Sequence, residues 1–263
     1  MRFSLGFLCT FSLAALAADP EDDQRMAKKP FVPTDSYEER EVLGWKVRVN
    51  KELLGPRKET GDQALALLEE KLKEIREKVP PTALAALLHV TLWLGVDDFA
   101  VPNANYHPSA GWLKAHGWNP DKAKCVEISN AEIFLKWSRD QPMMILHELS
   151  HAYHDQVLGY GYAPIRHAYE EAKRSGKYEA VKRGNRTERA YALNNDQEFF
   201  AEASEAYFGR NDFQPFTREE LKSFDPETYR VVEEAWNRPA LSTGVGEGEA
   251  AKPAAGPSPE HKY

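Results

Sequence analysis

The chain of 263 residues is 42% apolar and 29% charged, enough for one substantial folded domain or two small ones and unlike a fibre, a coiled coil or a wholly disordered protein. Its 41 acidic residues outnumber 34 basic ones, for a formal charge of -7. No concentrated patch of Lys and Arg relieves that balance, which argues against a nucleic-acid surface.

Taken in chain order, residues 1–17 read as a signal peptide. Arg2 supplies the positive end, residues 3–16 the apolar stretch and Ala15-Leu16-Ala17 the small-residue cleavage box. That stretch is too short to span a bilayer, so the expectation is a secreted or periplasmic protein without a membrane span. Cys9 falls inside the removed segment, leaving Cys125 without a partner for an intramolecular disulfide. Residues 18–36 are polar, carry Pro30 and Pro33, and read as a flexible leader. The Gly- and Pro-rich residues 240–263 read as a disordered tail, because they have too little apolar surface to offset chain entropy. One folded domain over residues 37–239 remains.

Within it, residues 42–49 resemble a strand, and Leu65, Leu68, Leu72, Ile75 and Val79 recur at helical spacing until Pro80 and Pro81 stop the helix. Residues 90–96 alternate as a strand with two different faces, and Val126 and Ile128 suggest a short strand over 124–129. Helices are predicted over 131–138, 142–157, 164–174, 196–208, 218–223 and 226–236. Strands early and helices late make the fold class α+β.

The most informative segment is His147-Glu148-Leu149-Ser150-His151, a His-Glu-x-x-His pattern within an apolar helix. Residues four apart share a helix face, so His147 and His151 reach one ion while Glu148 points beside it. Neutral imidazole suits Zn²⁺, and a catalytic zinc needs a third protein ligand and an open position. His154 lies seven residues from His147, about 10.5 Å along the axis, too far to share the ion, and is expected on the helix surface or in a supporting position. A following helix offers Glu198 and Glu202 on one face among Phe199, Phe200, Ala203 and Ala206. Glu198 is assigned as third ligand and Glu202 as a supporting acceptor. The competing reading is a capping box, in which Asn195 caps the helix and Glu198 turns back to the backbone.

Together with Tyr191-Ala192-Leu193-Asn194 and Glu198-Phe199-Phe200-Ala201-Glu202-Ala203, the His147 motif resembles the catalytic domain of anthrax-lethal-factor-like metallopeptidases, a family that includes secreted Pro-Pro endopeptidases. The resemblance spans roughly residues 147–208. It implies a zincin-like domain with a small sheet packed on the active-site helix and a mainly helical C-terminal part. It also implies one catalytic zinc on His147, His151 and Glu198, Glu148 as general base, and Tyr191, seven residues before Glu198, as an assisting phenol. The expected activity is hydrolysis of peptide or protein substrates. The alternative is a catalytically inactive zinc-binding scaffold or interaction module of the same fold.

Substrate contacts are less visible. Val126, Glu127 and Ile128 precede the active helix and are read either as an edge strand that pairs with extended substrate or as an ordinary structural strand. Gly159-Tyr160-Gly161-Tyr162 reads as an aromatic rim or as a helix-ending turn. Asn185-Arg186-Thr187 is a glycosylation sequon, relevant in a glycosylating host.

Overall fold

Leu43 and Gly44 both adopt positive φ, 50° and 89°, and the turn they make folds the first predicted strand back on itself. In the computed structural model, which describes residues 31–97 and 104–238, the expected strand over 42–49 is therefore a hairpin of β1 (Tyr37–Val42) and β2 (Trp45–Asn50), with Val42 opposite Trp45. β1 is mostly charged and exposed, whereas β2 buries Trp45, Val47 and Val49. The signal peptide, the 240–263 tail and most of the leader lie outside the described residues. The leader's last residues are fastened: the Thr34 hydroxyl donates to Asp121 at 2.6 Å, and the Asn119 amide donates to the Val32 carbonyl at 3.1 Å.

β2 pairs in parallel with β3 (Leu92–Leu94), and β3 with β5 (Val126–Ile128). β4 (Ala104–Tyr106) runs antiparallel along the far side of β5, giving the order β1-β2-β3-β5-β4. The first crossover contains α1 (Lys58–Lys78) and α2 (Pro81–Leu87). Pro80 follows the Val79 cap and stops the first helix, and Pro81 starts the next, because a first-turn position needs no N–H partner. Neither α2 nor α3 (Ala110–Ala115), between β4 and β5, was anticipated.

The later helices follow the predicted periodicity. Asn130 caps α4 (Ala131–Trp137), accepting from the Ile133 N–H at 3.0 Å. α5 (Met144–Tyr153) carries the His-Glu-x-x-His pattern and is buried at every position except His151. A π-helical turn, His154–Leu158, extends it. Then come α6 (Ala163–Ser175), an unanticipated hairpin of β6 (Val181–Arg183) and β7 (Arg186–Glu188), α7 (Asp196–Phe208), α8 (Arg218–Phe224) and α9 (Pro226–Trp236). The architecture is mixed α+β, and no helix among the described residues is long and apolar enough to cross a membrane.

Val47, Leu92, Leu94, Val126 and Ile128 join one continuous core with Leu68 and Leu72 of α1, Leu149 and Ala152 of α5, and Phe200 of α7. Fully burying a Leu or Phe side chain contributes about 1.5–3 kcal/mol, which lets this core fix several polar groups in place. Trp93 points to the opposite face with Tyr37 and the free thiol Cys125, as the alternation of residues 90–96 requires. Gly209, just past α7, holds that helix close to the start of α5, since a Cβ there would overlap the Met143 side chain.

Candidate metal centre

On α5, the helical spacing of four brings His147 Nε2 and His151 Nε2 to 3.2 Å. α7 packs across α5 and places Glu198 Oε2 at 3.0 Å from the first and 3.4 Å from the second. Donor atoms bound to a tetrahedral ion at about 2.0–2.1 Å stand about 3.3–3.4 Å apart, so this triangle has the size of three zinc ligands. Asn195 does cap α7, accepting from the Glu198 N–H at 2.7 Å. The Glu198 carboxylate turns toward the imidazoles and not back to the cap, so the reciprocal half of a capping box is not made.

On its other side, the His147 ring meets Glu205, with Nδ1 and Oε1 at 2.6 Å. If Nδ1–H donates to that carboxylate, Nε2 of the neutral ring carries the lone pair. Three lone-pair atoms then converge, an arrangement that a cation between them stabilises. The donor set thus fits a metal such as zinc by chemistry as well as by spacing. A second group, His147 with Glu202 and Glu205, is also close enough to hold an ion. It has a single imidazole, and the Nδ1 facing it is already engaged by Glu205.

Glu202, the acceptor expected from sequence, stands 4.0 Å from His147 Nδ1, and the partner at hydrogen-bonding distance is Glu205. Sequence reasoning missed Glu205, although positions 198, 202 and 205 follow the i, i+4, i+7 spacing of one helix face. Burial alone would raise the Glu198 carboxyl, but His151 and His147 hold it well below the usual range. Glu148, the residue after His147, lies near all three of these groups and turns its carboxylate to β4, where Oε2 accepts from the Tyr106 backbone N–H at 2.7 Å. Burial pushes its carboxyl up, with Glu198 adding to the shift and the two imidazoles opposing it.

Tyr191 opens a single 3-10 turn, Tyr191–Leu193, directly before α7, half-buried against the core. Gly159, with φ of 76°, ends the π-helical turn, which is the helix-ending reading of the Gly-Tyr-Gly-Tyr segment. Tyr160 lies edge-on to His154 with ring centroids 5.1 Å apart. Burial, with Asp155, Glu198 and Glu148 nearby, keeps its hydroxyl protonated.

Two expectations are corrected. His154 is fully buried between Tyr160 and Phe200, its ring nitrogens have no hydrogen-bond partner, and burial pushes its pKa down to about 3. It is therefore not a helix-surface residue. Val126, Glu127 and Ile128 do not form a sheet edge, because β5 is paired on both sides and the edge on that side is β4. Val126 and Ile128 belong to the core. Glu127 faces the other side of the sheet, fully buried against the Lys122 ammonium and 2.7 Å from His107 Nε2. Burial alone would raise its carboxyl, but Lys122 and His107 lower it to about 2. β4 escaped notice because three residues are too few to show alternation.

No family model, curated protein or solved structure matches the chain.

Proposed function

We propose that the protein is an exported zinc-dependent endopeptidase with a zincin-like domain, acting on peptide or protein substrates. The observation that carries this reading is the convergence of His147 Nε2, His151 Nε2 and Glu198 Oε2 within 3.4 Å of one another, with Glu148 beside that triangle and outside it. The motif resemblance to lethal-factor-like metallopeptidases supports the same assignment. His147, His151 and Glu198 hold the metal, and Glu205 fixes the tautomer of His147 through Nδ1. A bound zinc ion supplies Lewis acidity toward a scissile carbonyl and toward water.

The chain's own groups do the rest. Glu148 takes a proton from the attacking water on a carboxylate oxygen and returns it to the leaving amine. The buried setting of Glu148 suits that exchange, because a raised carboxyl pKa lies closer to neutral pH. Tyr191, immediately before α7, donates its phenol O–H to the oxygen on which negative charge grows.

The test is hydrolysis of a peptide library by the zinc-loaded chain beside Glu148→Gln. The substitution keeps size and removes the base, so zinc content and melting temperature stay near wild type while turnover falls about 10²- to 10⁴-fold. Wild-type turnover in the variant would eliminate Glu148 as base. Zinc binding with no cleavage of any peptide by the wild-type chain would favour the inactive scaffold.

A further inference from the structure

We propose that Tyr106 is a positioning residue for Glu148, clamped at its backbone by that carboxylate and at its hydroxyl by Asp155. The proposal rests on the peptidase reading for its kinetic consequence, though the clamp itself has a readout that does not need turnover.

The clamp follows from how β4 meets the sheet. The His107 N–H donates to the Cys125 carbonyl at 3.1 Å, and the His107 carbonyl accepts from the Lys124 N–H at 2.6 Å. In an antiparallel pair such a doubly bonded position alternates with one whose backbone groups point outward, so the N–H of Tyr106 faces away from β5. Glu148 Oε2 accepts that N–H at 2.7 Å. The other end of the same residue returns to the same helical segment. Its hydroxyl donates to Asp155 Oδ2 at 2.6 Å and accepts from Gln156 Nε2 at 3.1 Å. Gln156 Nε2 also donates to the Lys124 carbonyl at 3.2 Å, and the Lys124 ammonium pairs with Asp155.

Asp155 and Gln156 belong to the π-helical turn that continues α5. Such a turn changes the direction in which successive side chains leave the helix, and it recurs at functional sites. Here it aims two adjacent polar side chains at one phenol. Tyr106 thus bridges two points of the active helix more than one turn apart. That bridge adds polar tethers to a three-residue edge strand that β5 pairs on one side and whose Ala104 and Tyr106 pack into the core. Burial, reinforced by Asp155, keeps the phenol protonated, so its donor role does not change over the working pH range. A base held at a fixed angle matters because small misplacements of a reacting group are costly in rate.

Tyr106→Phe and Asp155→Ala, singly and together, test the clamp in the zinc-loaded full chain. Each single variant is expected to lower kcat on the order of tenfold to a hundredfold, with KM, zinc content and melting temperature near wild type. The double variant should lose no more than the worse single one, because both act through one bond. In parallel, the Tyr106 backbone amide resonance is expected to lie downfield in the wild-type chain. It should move upfield in Glu148→Gln and shift in both clamp variants. Wild-type kcat in both single variants, a loss that only tracks melting temperature or zinc content, or a Tyr106 amide unmoved by Glu148→Gln would overturn the clamp. If the wild-type chain cleaves no peptide, the peptidase reading fails and the amide resonance alone decides the clamp.

Discussion

Glu127 and Glu198 are both carboxylates enclosed by the protein and facing imidazoles, yet they differ in what else they meet. Glu127, on the outer face of the sheet, also touches the Lys122 ammonium, so a permanent positive charge from the chain itself balances it. Glu198, on the α5 side, makes its ion pairs with His147 and His151, whose charge is conditional on protonation. Folding completes the first cluster. The second is complete only when the imidazoles are protonated or a cation enters between the donor atoms, and at neutral pH the cation is the cheaper route because it satisfies all three lone pairs at once. The same residue types therefore make a structural anchor in one place and a candidate metal centre in the other.

Glu127→Gln leaves the Lys122 ammonium buried without its counter-charge, and the expected destabilisation is about 3–5 kcal/mol in denaturant unfolding, with zinc stoichiometry unchanged. The pH dependence follows from the same pair. The folded carboxyl titrates at about 2, below its ordinary 4.5. Its contribution is therefore complete above about pH 4.5 and is lost as pH falls toward 2. The Gln variant should lack that acid slope, and a variant that kept both the slope and the stability would show that the pair is no anchor.

A smaller effect is expected at the metal cluster. If His147 is oriented by the 2.6 Å contact with Glu205, Glu205→Gln should weaken zinc about 10- to 100-fold in a chelator competition, and Glu202→Gln less. Equal losses, or the reverse order, would assign the orienting role to Glu202.

The smallest effect is at His154, a third way of handling a buried imidazole, by leaving it neutral. Its pKa is lowered from 6.5 to about 3, so the unfolded chain takes up the proton first and stability is lost as pH falls between those values. His154→Phe should flatten that part of the profile in the metal-stripped chain, with stability at neutral pH unchanged or slightly higher, because two unpartnered ring nitrogens are removed. An unaltered slope between pH 6.5 and 3 would show that His154 finds partners when it charges.

Much of this was legible in the sequence because helices declare themselves over many residues. α5 and α7 were read from their apolar periodicity, and His147, Glu148, His151 and Glu198 from spacing within it. What failed was short or depended on a neighbour. The Leu43-Gly44 turn splits a stretch whose apolar residues look continuous, and its cue, a glycine between two runs of strand-forming residues, is weak without the pairing partner. β4, β6 and β7 have three residues each, too few for a period to emerge. Glu127 was placed on an edge because nothing in its own segment reveals that β4 covers it. Glu205 was missed although its helix face was predicted, since which of two stacked carboxylates meets the ring depends on how α7 crosses α5.

Whether a cation completes the cluster of Glu198 and its two histidines is read from thermal unfolding of the chelator-stripped chain titrated with zinc. The melting temperature is expected to climb with zinc, equivalent to about 2.7 kcal/mol at a hundredfold excess over Kd, with a nearly flat response in Glu198→Ala. A wild-type chain indifferent to zinc, or a Glu198→Ala chain that climbs as steeply as wild type, would contradict the metal assignment.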